Sequence, residues 1–247
     1  MSFPLTIAAG ASLPLPGDPN LARLGFERAA SGPPILQRLA QEAEGRQLLA
    51  AIFGNSPFLS QALFSEPDIL EAFLAQDPAA VLADLMAALK REAASADNNQ
   101  ITRVLRRSRR RAALLIALAD IAGHWSLEQV TGALTGFADT ALGLAIDHLL
   151  RRAAIAGDLA LGELERPNIG SGLVVLGMGK LGAHELNYSS DIDLIVLYDR
   201  DKSTWAELPD AAQKTGKRKV AIKTGISNGA NTELLEGLQE GQEVILQ

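Results

Sequence analysis

Apolar residues recur every three or four positions from Ile35 to about Gly162, the period of amphipathic helices that each bury one face. Val81, Leu82, Leu85 and Leu89 form one such stripe, and Leu114, Leu115, Leu118 and Ile121 form another. Asp77 followed by Pro78 predicts an N-cap with proline at the first helical position, and Ser126-Leu127-Glu128-Gln129 fits a capping box. Several short helices packed together are therefore expected over 34–165. Ahead of them, Pro4, Pro14, Pro16, Pro19 and Pro33 with several glycines predict an irregular lead-in over 1–33. At Ser171 the period changes. Leu173-Val174-Val175-Leu176 and the stretch from Ile192 to Tyr198 are short apolar runs that suit buried strands, and the glycine-rich stretch between them suits a turn and a short helix.

Composition narrows the class without naming it. The chain has 247 residues, 47% hydrophobic and 21% charged, which is ordinary for a globular protein and rules out disorder or a collagen-like repeat. It has no cysteine, which removes disulfides, thiolate metal sites and a thiol nucleophile. Its three histidines, His124, His148 and His184, leave little for a histidine-rich metal site, and His124 and His184 read as structural or exposed. A net charge of −6 makes nucleic acid an unexpected partner. No apolar run is long enough for a membrane span, and Met1-Ser2-Phe3-Pro4 reads poorly as a secretory signal, so a cytoplasmic protein away from membranes is expected. Arg103, Arg106, Arg107, Arg109, Arg110 and Arg111 crowd one predicted helix, and a solvated surface spread over more than one helical face is the expected reading.

The chemistry gathers between the two apolar runs. In Gly177-Met178-Gly179-Lys180-Leu181-Gly182, the glycines allow backbone to approach a phosphate and Lys180 adds a positive charge. The spacing is not that of a Walker loop. It fits the Gly-x-Gly-x-x-Gly string of dinucleotide sites, but without a suitable acid on a parallel second strand. Asp191 and Asp193, at i and i+2 of an expected strand, would share a face, where two like charges are costly unless cations lie between them.

The string GMGKLGAHELNYSSDIDLIVLYD, from Gly177 to Asp199, resembles the nucleotidyltransferase motif of bacterial glutamine-synthetase adenylyltransferase/adenylyl-removing enzymes, members of the polymerase-β-like superfamily. IFGNSPFLSQAL, from Ile52 to Leu63, and the stretch from Arg111 to Asp139 resemble the helices that precede that family's catalytic sheet, so the likeness covers about the first 199 residues. It implies a mainly helical N-terminal body and a truncated polymerase-β-like nucleotidyltransferase sheet over 166–200; with a junction expected over 201–216 and a small terminal β unit over 217–247, the chain reads as an α+β fold. The likeness also implies Mg2+ held by Asp191 and Asp193, with Gly179 and Lys180 bordering the nucleotide phosphates and Ser189 and Ser190 shaping the turn into the metal-bearing strand. The implied reaction is phosphorolysis of the AMP–tyrosine bond of adenylylated glutamine synthetase. The implied partners are glutamine synthetase, an adenine nucleotide, phosphate and a PII-type signalling protein.

The family's third carboxylate, carried by a later strand, has no counterpart in motif after Asp199, leaving Asp199, Asp201, Glu207 and Asp210 without a pattern to choose among them. Residues 217–247, KRKVAIKTGISNGANTELLEGLQEGQEVILQ, instead resemble the β-structured end of periplasmic adaptor subunits of efflux pumps. Two alternatives follow: a non-catalytic fragment that binds glutamine synthetase or regulates it, and a non-functional chimera.

Overall fold

The computed structural model describes residues 12–199 and the backbone of 221–227 and 232–236. The chain divides into two compact units, residues 1–140 with 185–188, and residues 141–184 with 189–247. The first unit is helical. Its elements are α1 (Pro19–Ala30), α2 (Pro34–Leu39), α3 (Ala43–Asn55), α4 (Pro57–Ser65), α5 (Pro67–Ala75), α6 (Pro78–Ala94), α7 (Asn98–Ile121) and the first half of α8 (Leu127–Ala156).

Local chemistry explains where these helices begin. Asp77 caps α6 by accepting from the amides of Ala79 and Ala80, and Ser126 and Gln129 exchange the two hydrogen bonds of the expected capping box at α8. The same logic corrects the expectation of an irregular lead-in over 1–33. Asp18 accepts from the amides of Asn20 and Leu21, and Pro19 takes the first helical position, so α1 lies inside that segment. Proline there starts a helix instead of breaking one, because its missing N–H would have had no intrahelical partner. At its far end α7 stops on Gly123 (φ 74°), with the His124 amide donating to the Ala119 carbonyl and the Gly123 amide to that of Asp120. This is a Schellman closure. The His124 ring then meets Phe73 edge-on at 5.6 Å, a structural role as expected.

The core of this unit draws on α1 to α7, with Leu36, Leu39, Leu48, Leu49, Ile52, Leu63, Ile69, Leu70, Leu114, Leu115 and Leu118 fully or almost fully buried. Close packing sets some residue choices directly: α1 lies against α3, and a Cβ at Gly25 would sit 2.3 Å from the Phe53 ring. Glu66, between α4 and α5, is also buried. It accepts hydrogen bonds from Arg110 Nε (2.9 Å) and Arg111 Nη1 (3.0 Å), and Arg107 Nε lies 3.8 Å away. Arg111 also reaches Asp68 at 2.6 Å. The arginine cluster is thus not simply a solvated surface, since a buried carboxylate needs compensating cations and α7 supplies them. Arg103, Arg106, Arg107 and Arg110 follow the i, i+3, i+4, i+7 spacing of one face, and Arg109 and Arg111 lie to either side of it, so the set does spread beyond a single face.

The second unit carries the sheet. The helical run ends at Ala156, earlier than the expected boundary at 165, and irregular chain leads to β1 (Leu173–Met178). A single helical turn, α9 (Gly179–Gly182), follows, then β2 (Asp193–Asp199), β3 (Ala221–Ser227) and β4 (Thr232–Glu236). The strand order is β1-β2-β3-β4, with β1/β2 antiparallel, β2/β3 parallel and β3/β4 antiparallel. Helices followed by a small, mostly antiparallel sheet agree with the α+β class. The one-turn helix between β1 and β2 matches the expected turn and short helix, but the strands, expected to be buried, are only half-buried, with Val196 58% and Leu176 38% exposed. The proposed boundary of the terminal unit at 201–216 and most of 217–247 lie outside the described residues.

Candidate active site

The glycine-rich turn and the acidic strand meet because β1 and β2 pair antiparallel. Met178, the last residue of β1, is opposite Asp193, the first of β2, so the turn at Gly179 and Lys180 emerges at the end of the sheet where the Asp193 carboxylate sits. Gly179 adopts φ +54°, and a Cβ placed on it would lie 3.3 Å from Asp193 Oδ2. Glycine at this position therefore serves two needs, a left-handed backbone and room for the carboxylate. The turn is closed by a second close approach, since a Cβ at Gly182 would meet the Gly177 carbonyl oxygen at 2.4 Å. Antiparallel pairing also disposes of the dinucleotide reading, which needs two parallel strands joined by a crossover helix.

The four residues singled out by the sequence fall in this one region of the second unit. Gly179, Lys180, Asp191 and Asp193 are all exposed, open to a ligand from solvent. The expectation that Asp191 and Asp193 share a strand face is corrected: β2 starts at Asp193, and Asp191 and Ile192 lie in the irregular chain before it. The period-two rule therefore does not fix the direction of the Asp191 side chain. Ser189 sits in the turn just ahead of these residues, as expected, and both Ser189 and Ser190 are engaged in interactions. His184, exposed, follows α9 in the left-handed region at φ 58°, a position commonly filled by glycine after a helix.

Two exposed carboxylates are hard oxygen donors, and Mg2+ is commonly held by one or two carboxylates together with substrate phosphates, so the donor chemistry fits that ion. Among the described residues no group of three or more histidine or acidic side chains is placed to hold a metal. Asp199 cannot complete the pair. It is buried at the far end of β2, six residues from Asp193, which is about 20 Å at ~3.3 Å per residue. Asp201, Glu207 and Asp210 lie outside the described residues. No described helix is long and apolar enough to cross a membrane.

Sequence pattern does not reveal one polar tie close to the site in the chain. Tyr188, grouped with the helical unit, donates from its hydroxyl to Asp120 Oδ2 at 3.1 Å. Partial burial of a residue still 41% exposed, the nearby Asp120 charge and this hydrogen bond all hold the phenol above its ordinary pKa. The partners are 68 residues apart, beyond the reach of any local pattern.

Comparison with known proteins now decides the family. The family model for glutamate-ammonia ligase adenylyltransferase matches residues 46–225. The chain belongs to this family. A bifunctional glutamine synthetase adenylyltransferase/adenylyl-removing enzyme of Xanthobacter autotrophicus is 43% identical over 205 residues, covering 81% of this chain and 21% of the relative. Proteins of the same description from a Bradyrhizobium species and from Rhizobium meliloti are 46% and 42% identical, over 65% and 72% of this chain and 16% and 19% of their own lengths. The chain thus spans about a fifth of the length of these relatives. The family match continues to residue 225, through the expected junction and into the segment likened to efflux adaptors, and these relatives lend that second likeness no support.

Proposed function

We propose that this chain carries the phosphate- and metal-handling end of an adenylyl-removing module that acts on adenylylated glutamine synthetase. The observation that carries the reading is the meeting of turn and carboxylate: the register Met178↔Asp193 sets Asp193 Oδ2 against Gly179, next to Lys180. Membership of the adenylyltransferase family supplies the reaction class. In the reaction, an oxygen of inorganic phosphate attacks the AMP phosphorus, the bond from that phosphorus to the tyrosyl oxygen breaks, and the tyrosine oxygen takes up a proton as ADP departs. Lys180 would offset phosphate charge, and the Gly179 turn would allow the nucleotide phosphates to approach backbone closely. Asp191 and Asp193 would hold Mg2+. When bound, the ion would stabilise negative charge on the attacking and leaving oxygens. What remains for the protein is positioning and electrostatics, which dominate phosphoryl-type transfer. An adenine nucleotide and phosphate are the small-molecule partners in this reading, with a PII-type signalling protein as a further partner.

A second reading is favoured by one observation, the absence of a third acidic ligand among the described residues. It is a module that binds glutamine synthetase without turning it over. The two are separated by measuring ADP formed from adenylylated glutamine synthetase with Mg2+ and phosphate. We expect the chain to form ADP, and the Asp191→Asn/Asp193→Asn variant to lose at least ~100-fold of that rate, in line with loss of charge stabilisation at a transferring phosphoryl group. A folded wild-type chain that binds adenylylated glutamine synthetase yet forms no ADP would establish the binding reading instead.

A further inference from the structure

The proposed reaction leaves unused the arginines of α7, whose arrangement is costly for a helix that serves only as packing. Six lie between 103 and 111, and among the described residues only Glu66 and Asp68 come within ion-pair distance of any of them. Those two carboxylates engage Arg107, Arg110 and Arg111. Arg103, Arg106 and Arg109 are exposed and have no ion pair among the described residues. Arg103 and Arg106 continue the face that holds Arg107 and Arg110, and Arg109 flanks it. Like charges at i, i+3 and i, i+4 repel and weaken a helix, and this stretch repeats them several times. Positive charge is also segregated here, in a chain whose net charge is −6.

We propose that this ridge is a docking surface for a carboxylate-rich protein surface. The cations are all arginine, whose planar fork takes a carboxylate or a phosphate in two-point contacts, and two further features choose a carboxylate surface over nucleic acid. No aromatic residue stands between Asn98 and Arg111 to stack a base. A long polyanion would also feel the chain's overall negative charge, whereas a compact acidic patch is sensed only within a Debye length of about 10 Å at 0.1 M salt. Glu66 and Asp68 fix the inner end of the ridge, so Arg107, Arg110 and Arg111 are held in place and the exposed arginines extend from an ordered base.

The test compares the full chain with the charge-reversed triple variant Arg103→Glu/Arg106→Glu/Arg109→Glu, which leaves the three arginines around Glu66 in place. Binding of a fluorescent oligoglutamate peptide and of duplex DNA with the same number of charges is followed by anisotropy at low and at physiological salt, alongside thermal melting. We expect the wild type to bind the peptide in preference to DNA, with an affinity that falls as salt rises, and the reversed variant to bind at least ~10-fold more weakly. Its melting temperature should hold or rise, because acidic side chains at positions 103 and 106 would stand four residues ahead of Arg107 and Arg110 and turn repulsions into attractive pairs. The Arg→Lys version of the same triple should keep the salt dependence and bind more weakly than wild type. Failure of the wild type to bind at low salt, equal binding by the reversed variant, preference for DNA, or a lower melting temperature on reversal would each overturn the proposal.

Discussion

Gly179 shows how much of a site can rest on a residue without a side chain. Its left-handed backbone costs an L-residue about 1–2 kcal/mol, and the space a methyl group would need is bounded by Asp193 Oδ2 at 3.3 Å. Gly179→Ala should therefore strain the turn and displace the carboxylate together. The expected result is a melting temperature lower by only a few degrees, the scale set by a ~1 kcal/mol change, with ADP formation down by about tenfold or more. Such a split would follow from misplacing groups whose work is positioning. A large fall in stability with unchanged specific activity would show that the turn supports folding alone. His184, five residues on, occupies the left-handed region without that excuse of space, and histidine is among the few non-glycine residues enriched there.

At the scale of elements, the helix starts and the strands are readable because their signals are local. Asp77-Pro78 and the Ser126–Gln129 box are each satisfied within one turn, and the apolar runs at 173–176 and 192–198 form β1 and β2. Helix α1 carries the same Asp-Pro signal at Asp18-Pro19, masked in the pattern by the density of neighbouring prolines. The start of β2 falls later than the apolar pattern suggests, which takes Asp191 out of the strand, because alternation alone does not mark the residue at which ladder pairing begins. The meeting of Gly179 with Asp193 depends on register, and register is a property of two strands together. The Glu66 cluster is out of reach for a similar reason, as its partners on α7 are 41 to 45 residues away. That cluster carries a prediction. Glu66→Gln leaves the volume and removes the charge that Arg110 and Arg111 share, so stability should fall by about 1–3 kcal/mol, the cost of breaking a charge-assisted network at a buried acceptor. Denaturant titration reads this as a lower midpoint at unchanged slope. A change within experimental error would mean that solvent around the half-exposed Arg110 already screens the interaction.

The stability of the whole molecule should report the Tyr188–Asp120 tie through its dependence on pH. Partial burial, and then the Asp120 charge and hydrogen bond, disfavour the phenolate, so the phenol holds its proton more tightly in the folded chain than in the unfolded one. An unfolded tyrosine titrates near pH 10, and above that pH the folded chain retains a proton that the unfolded chain has released. Stability then declines as pH rises, because unfolding is favoured wherever the folded state binds more protons. The contribution of Tyr188 is therefore complete below about pH 10 and is lost progressively above it. Tyr188→Phe removes both the hydroxyl and its titration. At pH 8 the variant should be less stable by about 0.5 kcal/mol, the low end for one net hydrogen bond because solvent reaches the pair, and above pH 10 the gap should close as the wild type loses what the variant never had. Urea melts of both chains between pH 8 and pH 11 test this, since other groups titrating in that range are common to the pair and cancel in the difference. A gap that stays constant across pH 10 would show that the phenol ionises as readily in the folded chain as in the unfolded one, and that the hydroxyl's contact with Asp120 does not hold its proton.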